Sequence, residues 1–334
     1  MLPKGSSAIE HAQVADLPRY LPEGALLVVN DTRVMPARLL GRKETGGRVE
    51  LLLLERTSPT PTPSPTPLPT PCTETWRCLG GSSKGLRPGM RILLDGERPP
   101  GAEVMEVVGA EVHVQFHIAE PGGIVAAAER IGQVPLPPYI VRNVSNLGDR
   151  ARYQTIYARV PGSAAAPTAG LHFTEELLAA LRARNISIAP VTLHIGLGTF
   201  APLRLGEEED IRSITELHAE RYEISEETAA AVRRARGEGR PVIAVGTTAA
   251  RTLETVALGD GEVRAGSGST RLFIRPGFRF RAIEGLMTNF HLPKSTLLML
   301  VAAFAGRERV LAAYREAIGL GYRFFSYGDA MLIN

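Results

Sequence analysis

Ala25-Leu-Leu-Val-Val-Asn-Asp-Thr-Arg33 is the stretch whose reading decides the fold. Its apolar part does not alternate, so it reads as a strand buried on both faces, and it empties at once into Asn30, Asp31, Thr32 and Arg33. Such a strand belongs in an α/β sheet, where ligand sites gather at the carboxyl ends. The plainer alternative for the polar cluster is a turn with an Asp-capped exit.

Downstream, from Ala37 to about Tyr139, the character changes to short β-prone runs separated by glycine: Arg48–Leu54, Arg91–Leu94, Glu103–Val108 and Val112–Ile118. Strands at this spacing suggest a small barrel or sandwich. In the last of them Val112, Val114, Phe116 and Ile118 share one face, which leaves His113 and His117 on the outer one as a solvated pair rather than a metal site. The Pro/Thr-rich run 59–71 can form no ladder and is expected to be a flexible loop without chemistry.

Beyond the barrel the pattern returns to α/β. A helix over 175–184, with Thr174 as its cap, precedes a strand over 186–195. A helix capped by Ser225 precedes a strand over 241–245, and a further strand is expected at Arg271–Ile274. A long apolar helix after Ser295 and a last one, presenting Val310, Leu311, Tyr314 and Ile318, complete the chain. The loop Pro161–Thr174 stands out: glycines, prolines and small side chains leave its backbone open to close approach, and it carries one imidazole, His172. A tight packed loop is the alternative.

At 334 residues, 44% hydrophobic and 22% charged, the sequence is that of a globular protein large enough for two domains. The formal charge is only +3, yet nearly all cations are arginine, which permits a nucleic-acid or nucleotide partner without demonstrating one. Cys72 and Cys78 match neither a zinc spacing nor a redox pair and read as free thiols. No signal sequence opens the chain, and the longest apolar run, 297–305, is too short for a membrane span, so the protein is expected in the cytoplasm with no membrane partner.

Chemistry is concentrated at loop ends. His172, His194, His218 and His291 lie beside glycines or strand ends, where imidazoles can move protons near neutral pH, although each alone is more often structural. Gly246-Thr247-Thr248 at a strand-to-helix junction, with Arg251 one turn on, suits a carboxylate or phosphate. Asn289, Lys294 and Ser295 flank a second helix start; simple capping is the alternative there. Neither a P-loop nor a Gly-x-Gly-x-x-Gly opening a helix is present, which argues against a Rossmann nucleotide site.

Asn30–Arg38, Tyr153–Ala158 with the loop that follows, His194–Phe200, Val245–Glu254, Thr288–Leu300 and Tyr327–Met331 together resemble the S-adenosylmethionine:tRNA ribosyltransferase-isomerase family of queuosine biosynthesis. The resemblance implies an α/β fold, its mixed sheet interrupted by an inserted small β-barrel: a discontinuous α/β catalytic domain over 1–37 and 146–334 and a barrel over 38–145. It implies transfer and isomerisation of the ribosyl part of S-adenosylmethionine onto 7-aminomethyl-7-deazaguanine (preQ1) in a tRNA with a GUN anticodon. Epoxyqueuosine would form, with release of adenine and methionine. S-adenosylmethionine is then a substrate, no cofactor or metal is expected, and a monomer is expected. A non-catalytic tRNA- or S-adenosylmethionine-binding paralogue is the alternative. His172, His194, His218, His291, Asp31, Arg33 and Asp329 become the catalytic candidates. Thr168, Gly170, Gly196, Gly198, Thr199, Gly246, Thr247, Thr248, Arg251, Asn289, Lys294 and Tyr327 become the substrate-binding ones. The family usually carries a longer acidic, Leu-Pro-containing segment ahead of Leu26–Asn30 than this sequence does.

Overall fold

The computed structural model describes residues 1–3, 8–58, 71–136, 140, 147–196 and 217–334. The Pro/Thr run up to residue 70, Gly198 and Thr199 lie outside them. Two units form: Met1–Arg33, Tyr153–Val160 and Ala166–Asn334 make the first, and Val34–Arg152 with Pro161–Ala165 the second.

In chain order, a one-turn helix α1 (Leu17–Tyr20) leads to β1 (Leu26–Asn30) and a short β2 (Thr32–Val34). Six strands follow: β3 (Arg38–Lys43), β4 (Arg48–Ser58), β5 (Cys72–Gly81), β6 (Arg91–Leu94), β7 (Gly101–Val108) and β8 (Glu111–Ile118). Then come α2 (Gly123–Ile131), α3 (Leu147–Arg152) and β9 (Val160–Ser163). A 3-10 turn at Thr168–His172 precedes α4 (Glu175–Arg182), β10 (Ser187–Leu193), β11 (Glu220–Ile224), α5 (Glu226–Gly237) and β12 (Val242–Val245). The chain closes with α6 (Thr247–Val256), β13 (Gly266–Thr270), β14 (Gly285–Asn289), α7 (Thr296–Ala305), α8 (Arg307–Gly319) and β15 (Ala330–Ile333).

Among the described residues the first unit is built on a seven-stranded mixed sheet, ordered β13-β11-β10-β1-β12-β14-β15. Strands β10, β1, β12 and β14 are parallel; β11 and β15 run opposite to them, and the edge strand β13 pairs antiparallel with β11. The unalternating run in β1 has a direct cause: Leu26 and Val28 join one core, Leu27 and Val29 the other. In β12, Val242 and Ala244 divide from Ile243 and Val245 in the same way. Helix α4, through Leu177, Leu178 and Leu181, covers the second face, whereas α5 and α6 cover the first. Progression from β1 goes to β10 on one side and later to β12 and β14 on the other, with crossover helices on opposite faces. The boundary between β1 and β12 is therefore a topological switch point, the position at which open α/β sheets usually place a ligand site outside the carboxyl ends of the strands.

The second unit is a closed antiparallel barrel, β3-β4-β5-β8-β7-β6. Alternate residues such as Leu39, Leu51, Leu53, Val104, Val114 and Phe116 fill it. His113 and His117 face outward, as the alternation requires. Inside one end, the buried carboxylate of Glu74 accepts a hydrogen bond from Trp76 Nε1 at 2.6 Å and one from Ile124 N, in the first turn of α2, at 3.4 Å. Both cysteines are free.

Two expectations need correction. No strand forms at Arg271–Ile274; the edge strand is the preceding Gly266–Thr270, because its polar residues pair with β11. In α8 the inward face is Val310, Ala313, Tyr314 and Ala317, and Ile318 is 65% exposed. Small alanines allow the close approach on that face, so the largest side chains were a poor guide to it. Among the described residues no helix is long and apolar enough to cross a membrane.

Candidate active site

Asn30 ends β1 with its side chain turned across the switch point. Its Nδ2 donates to Thr248 Oγ1 at 3.1 Å and to the Leu193 carbonyl at 3.0 Å, while Oδ1 accepts from the Leu193 and Thr32 amides. One buried amide thus ties the ends of β10 and β1 to the start of α6. Asp31, 2% exposed, accepts from Thr192 Oγ1 at 2.6 Å and from Arg159 Nε and Nη2 at 3.1 and 2.9 Å. Across the switch point Gly246 has φ +90, a conformation open to glycine and strained for other residues, and no side chain caps α6. The first-turn amides of α6 thus put a positive dipole end at the switch point, with Thr247 and Thr248 buried beside it.

The 3-10 turn bearing His172 lies over the same edge. Ala169 is near enough to Gly246 that an added Cβ there would meet its methyl at 3.5 Å. Gly170 is required by its own neighbours, for a Cβ would fall 2.1 Å from Tyr157 Oη and 2.7 Å from Thr155 Cγ2. The small residues Ala164, Ala165, Ala166 and Ala169 are buried, so the loop's openness is spent partly on packing against the protein itself. His172 Nε2 and Asn289 Oδ1 are both buried without an ordinary hydrogen-bond partner among the described residues. Burial pushes the His172 pKa down; Asp329 and Asn289 oppose this by favouring the imidazolium, and Arg323 adds to it. Asn289 is held by the carbonyls of Phe325 and Ser326, to which its Nδ2 donates at 2.9 and 3.4 Å. Asp329 accepts from the Arg323 amide at 2.7 Å, and the Tyr327 ring packs on Tyr153 with centroids 6.0 Å apart.

The other histidines are spread along the sheet. His194, just past β10, makes a 2.9 Å hydrogen bond through Nδ1 with Thr32 Oγ1; burial lowers its pKa, Arg221 adds to this, and Asp31 opposes it. His291, just past β14, contacts Thr288 Oγ1 through Nε2 at 2.8 Å, and burial pushes its pKa down to about 4. Strands β10 and β14 are three steps apart in the sheet, about 14 Å at the usual strand spacing, so these two imidazoles leave the sheet from well-separated strand ends. His218 is exposed ahead of β11. Arg33 and Lys294 are exposed and Thr168 is half-buried.

Arg251 is 3% exposed and its charge is met within the protein: Nη1 donates to Glu220 Oε2 at 2.5 Å and Nε to the Leu272 carbonyl. The other oxygen of Glu220 accepts from the Gly196 amide at 3.1 Å. Glu220 was missed by sequence reasoning, which took His218 from the same segment. Its signal was there, since Glu220, Tyr222 and Ile224 share a strand face and the last is a core residue. Arg159 and Thr192 carried no such signal, because their partnership with Asp31 joins positions more than 100 residues apart.

The family model for queuosine biosynthesis proteins matches residues 1–333. S-adenosylmethionine:tRNA ribosyltransferase-isomerase of Sorangium cellulosum is 51% identical over 97% of this chain and 88% of its own. The protein of the same name from Anaeromyxobacter dehalogenans is 52% identical over 100% of this chain and 91% of its own. Among solved structures, S-adenosylmethionine tRNA ribosyltransferase from Thermotoga maritima aligns with a TM-score of 0.50 at 32% identity, covering 100% of this chain and 90% of the other. With a mixed α/β sheet, an inserted closed barrel and matches along its whole length, the chain belongs to the queuosine biosynthesis family of S-adenosylmethionine:tRNA ribosyltransferase-isomerases.

Proposed function

We propose that this enzyme transfers and isomerises the ribosyl group of S-adenosylmethionine onto preQ1 in a tRNA with a GUN anticodon, giving epoxyqueuosine, adenine and methionine. S-adenosylmethionine is consumed as substrate, no separate cofactor or metal takes part, and the protein works as a monomer in the cytoplasm. The observation that carries the mechanism is His172 Nε2, a buried nitrogen free of ordinary partners at the carboxyl edge of the sheet. Burial keeps the ring neutral near pH 7, as a base requires. It takes a C5′ proton made acidic by the neighbouring sulfonium, and the electron pair left on carbon is stabilised by that positive sulfur. Adenine leaves with its bonding electron pair, the preQ1 amine bonds to the ribosyl carbon, and ring rearrangement to the epoxide breaks the C5′–S bond and releases methionine.

His291, already engaged with Thr288, and His194, engaged with Thr32, are better suited to holding the edge and orienting substrate. The α6 amides after Gly246 receive an anionic group, the methionine carboxylate or a tRNA phosphate, since Arg251 is neutralised by Glu220. Incubation with S-adenosylmethionine and preQ1-containing tRNA, followed by nucleoside mass spectrometry, tests the reading. Epoxyqueuosine with stoichiometric adenine and methionine is expected. Binding of both substrates without adenine release would instead identify a non-catalytic paralogue.

A further inference from the structure

The barrel's cations divide sharply by position. Arg38 is paired with Glu50, Arg56 with Glu74, Arg77 with Glu55 and Glu111, and both Arg98 and Arg130 with Glu120. Arg42, Arg48, Lys84, Arg87 and Arg91 are all exposed, and their side chains have no hydrogen bond or ion pair among the described residues.

The strand register brings these five to one end of the barrel. Arg42 near the end of β3 lies directly opposite Arg48 at the start of β4. On its other side Arg42 faces Leu93, so the start of β6, with Arg91, is at this end too. Gly81 at the end of β5 pairs with Glu50, which places the loop from Ser82 to Met90, with Lys84 and Arg87, here as well. Lys43 Nζ donates to the Gly85 carbonyl and ties that loop to the β3–β4 hairpin. Helix α2 covers the opposite end, where Glu74 meets its first turn. Of the nearby carboxylates, Glu50 and Glu111 are already bound to Arg38 and Arg77, leaving Glu44 in the hairpin, Glu103 opposite Arg91 and the exposed Glu106.

Two arginines directly opposite on neighbouring strands repel each other and weaken the sheet unless an external anion lies between them. Surplus arginine on an exposed rim, with an exposed Leu93 beside it, matches the requirements of a phosphodiester backbone and its sugars. We propose that this end of the barrel is a docking surface for the backbone of the tRNA substrate. The proposal rests on the reading that tRNA is the partner. The barrel then supplies affinity that does not depend on the modified base.

The test uses the full-length protein and unmodified as well as preQ1-containing tRNA. Arg42→Glu combined with Arg48→Glu should weaken binding of both tRNAs at least about tenfold. The slope of log affinity against log salt should become shallower by about one for each phosphate the variant no longer neutralises. Affinity for S-adenosylmethionine should stay unchanged, as should the turnover rate at saturating tRNA. Arg98→Glu, the same charge reversal at the other end, should bind tRNA like the unaltered protein. Unchanged affinity and slope in the double variant would overturn the proposal, and so would an equal loss in Arg98→Glu, which would indicate a diffuse field rather than a surface. Failure of the unaltered protein to bind tRNA at all would overturn both the surface and the functional reading. If the unaltered protein forms product and the double variant binds normally, only the docking surface is refuted.

Discussion

At the scale of single residues, His172 and Glu220 do opposite things with burial. His172 keeps a buried ring nitrogen outside any well-formed hydrogen bond, with Asn289 beside it, whereas Glu220 is bound by Arg251 and Gly196. Replacing His172 by Asn should lower the single-turnover rate by roughly 10²–10⁴-fold while substrate affinities stay within about twofold, the signature of a missing base. An unaltered rate would move the proton transfer elsewhere. Glu220→Gln should act on stability instead. It strands the Arg251 guanidinium without a counter-charge, at a cost of about 3 kcal/mol, visible as a lower denaturation midpoint.

At the scale of elements, the 3-10 turn of residues 168–172 is positioned by what it lacks. Gly170 leaves room for Tyr157 Oη and Thr155 Cγ2, and the turn thereby presents the next residues over β12 and β14. Gly170→Ala should cost about 1–3 kcal/mol by overpacking. Adding Tyr157→Phe, which removes the closest clashing atom, should recover part of the loss. If the double variant is no more stable than the single one, the hydroxyl is not what confines the turn. The helix caps are a simpler case: Ser225 Oγ accepts from the Thr228 amide, and Ser225→Ala should cost about 1 kcal/mol, measured by chemical denaturation.

At the scale of the whole molecule, three partly buried imidazoles couple stability to pH. Burial lowers the pKa of His172, His194 and His291, the last to about 4, from an ordinary value of about 6.5. The unfolded chain therefore takes up protons before the folded one does. Their contribution is complete above about pH 6.5 and is lost as pH falls toward the folded values. His291 alone accounts for roughly 3 kcal/mol by pH 4. Calorimetry from pH 7.5 to 4.5 should show a falling Tm, and His291→Gln should flatten that fall. A Tm that does not depend on pH in this window would contradict the burial argument.

The sequence by itself determined the local elements. An unalternating run ending in Asn-Asp-Thr-Arg reads as a central strand, alternation at 112–118 as a barrel wall, and Thr174 and Ser225 as helix caps, because strand period and capping depend on residues a few positions apart. Family membership was legible for the same reason, carried by contiguous motifs. What only the tertiary structure decided are partnerships across long separations: Asp31 with Arg159, Glu220 with Arg251, Gly170 with Tyr157, and the placement of His194 and His291 after strands three steps apart in the sheet. Burial and pairing decide whether a charged or titratable group is structural or available for chemistry. Both are set by neighbours that chain order does not name.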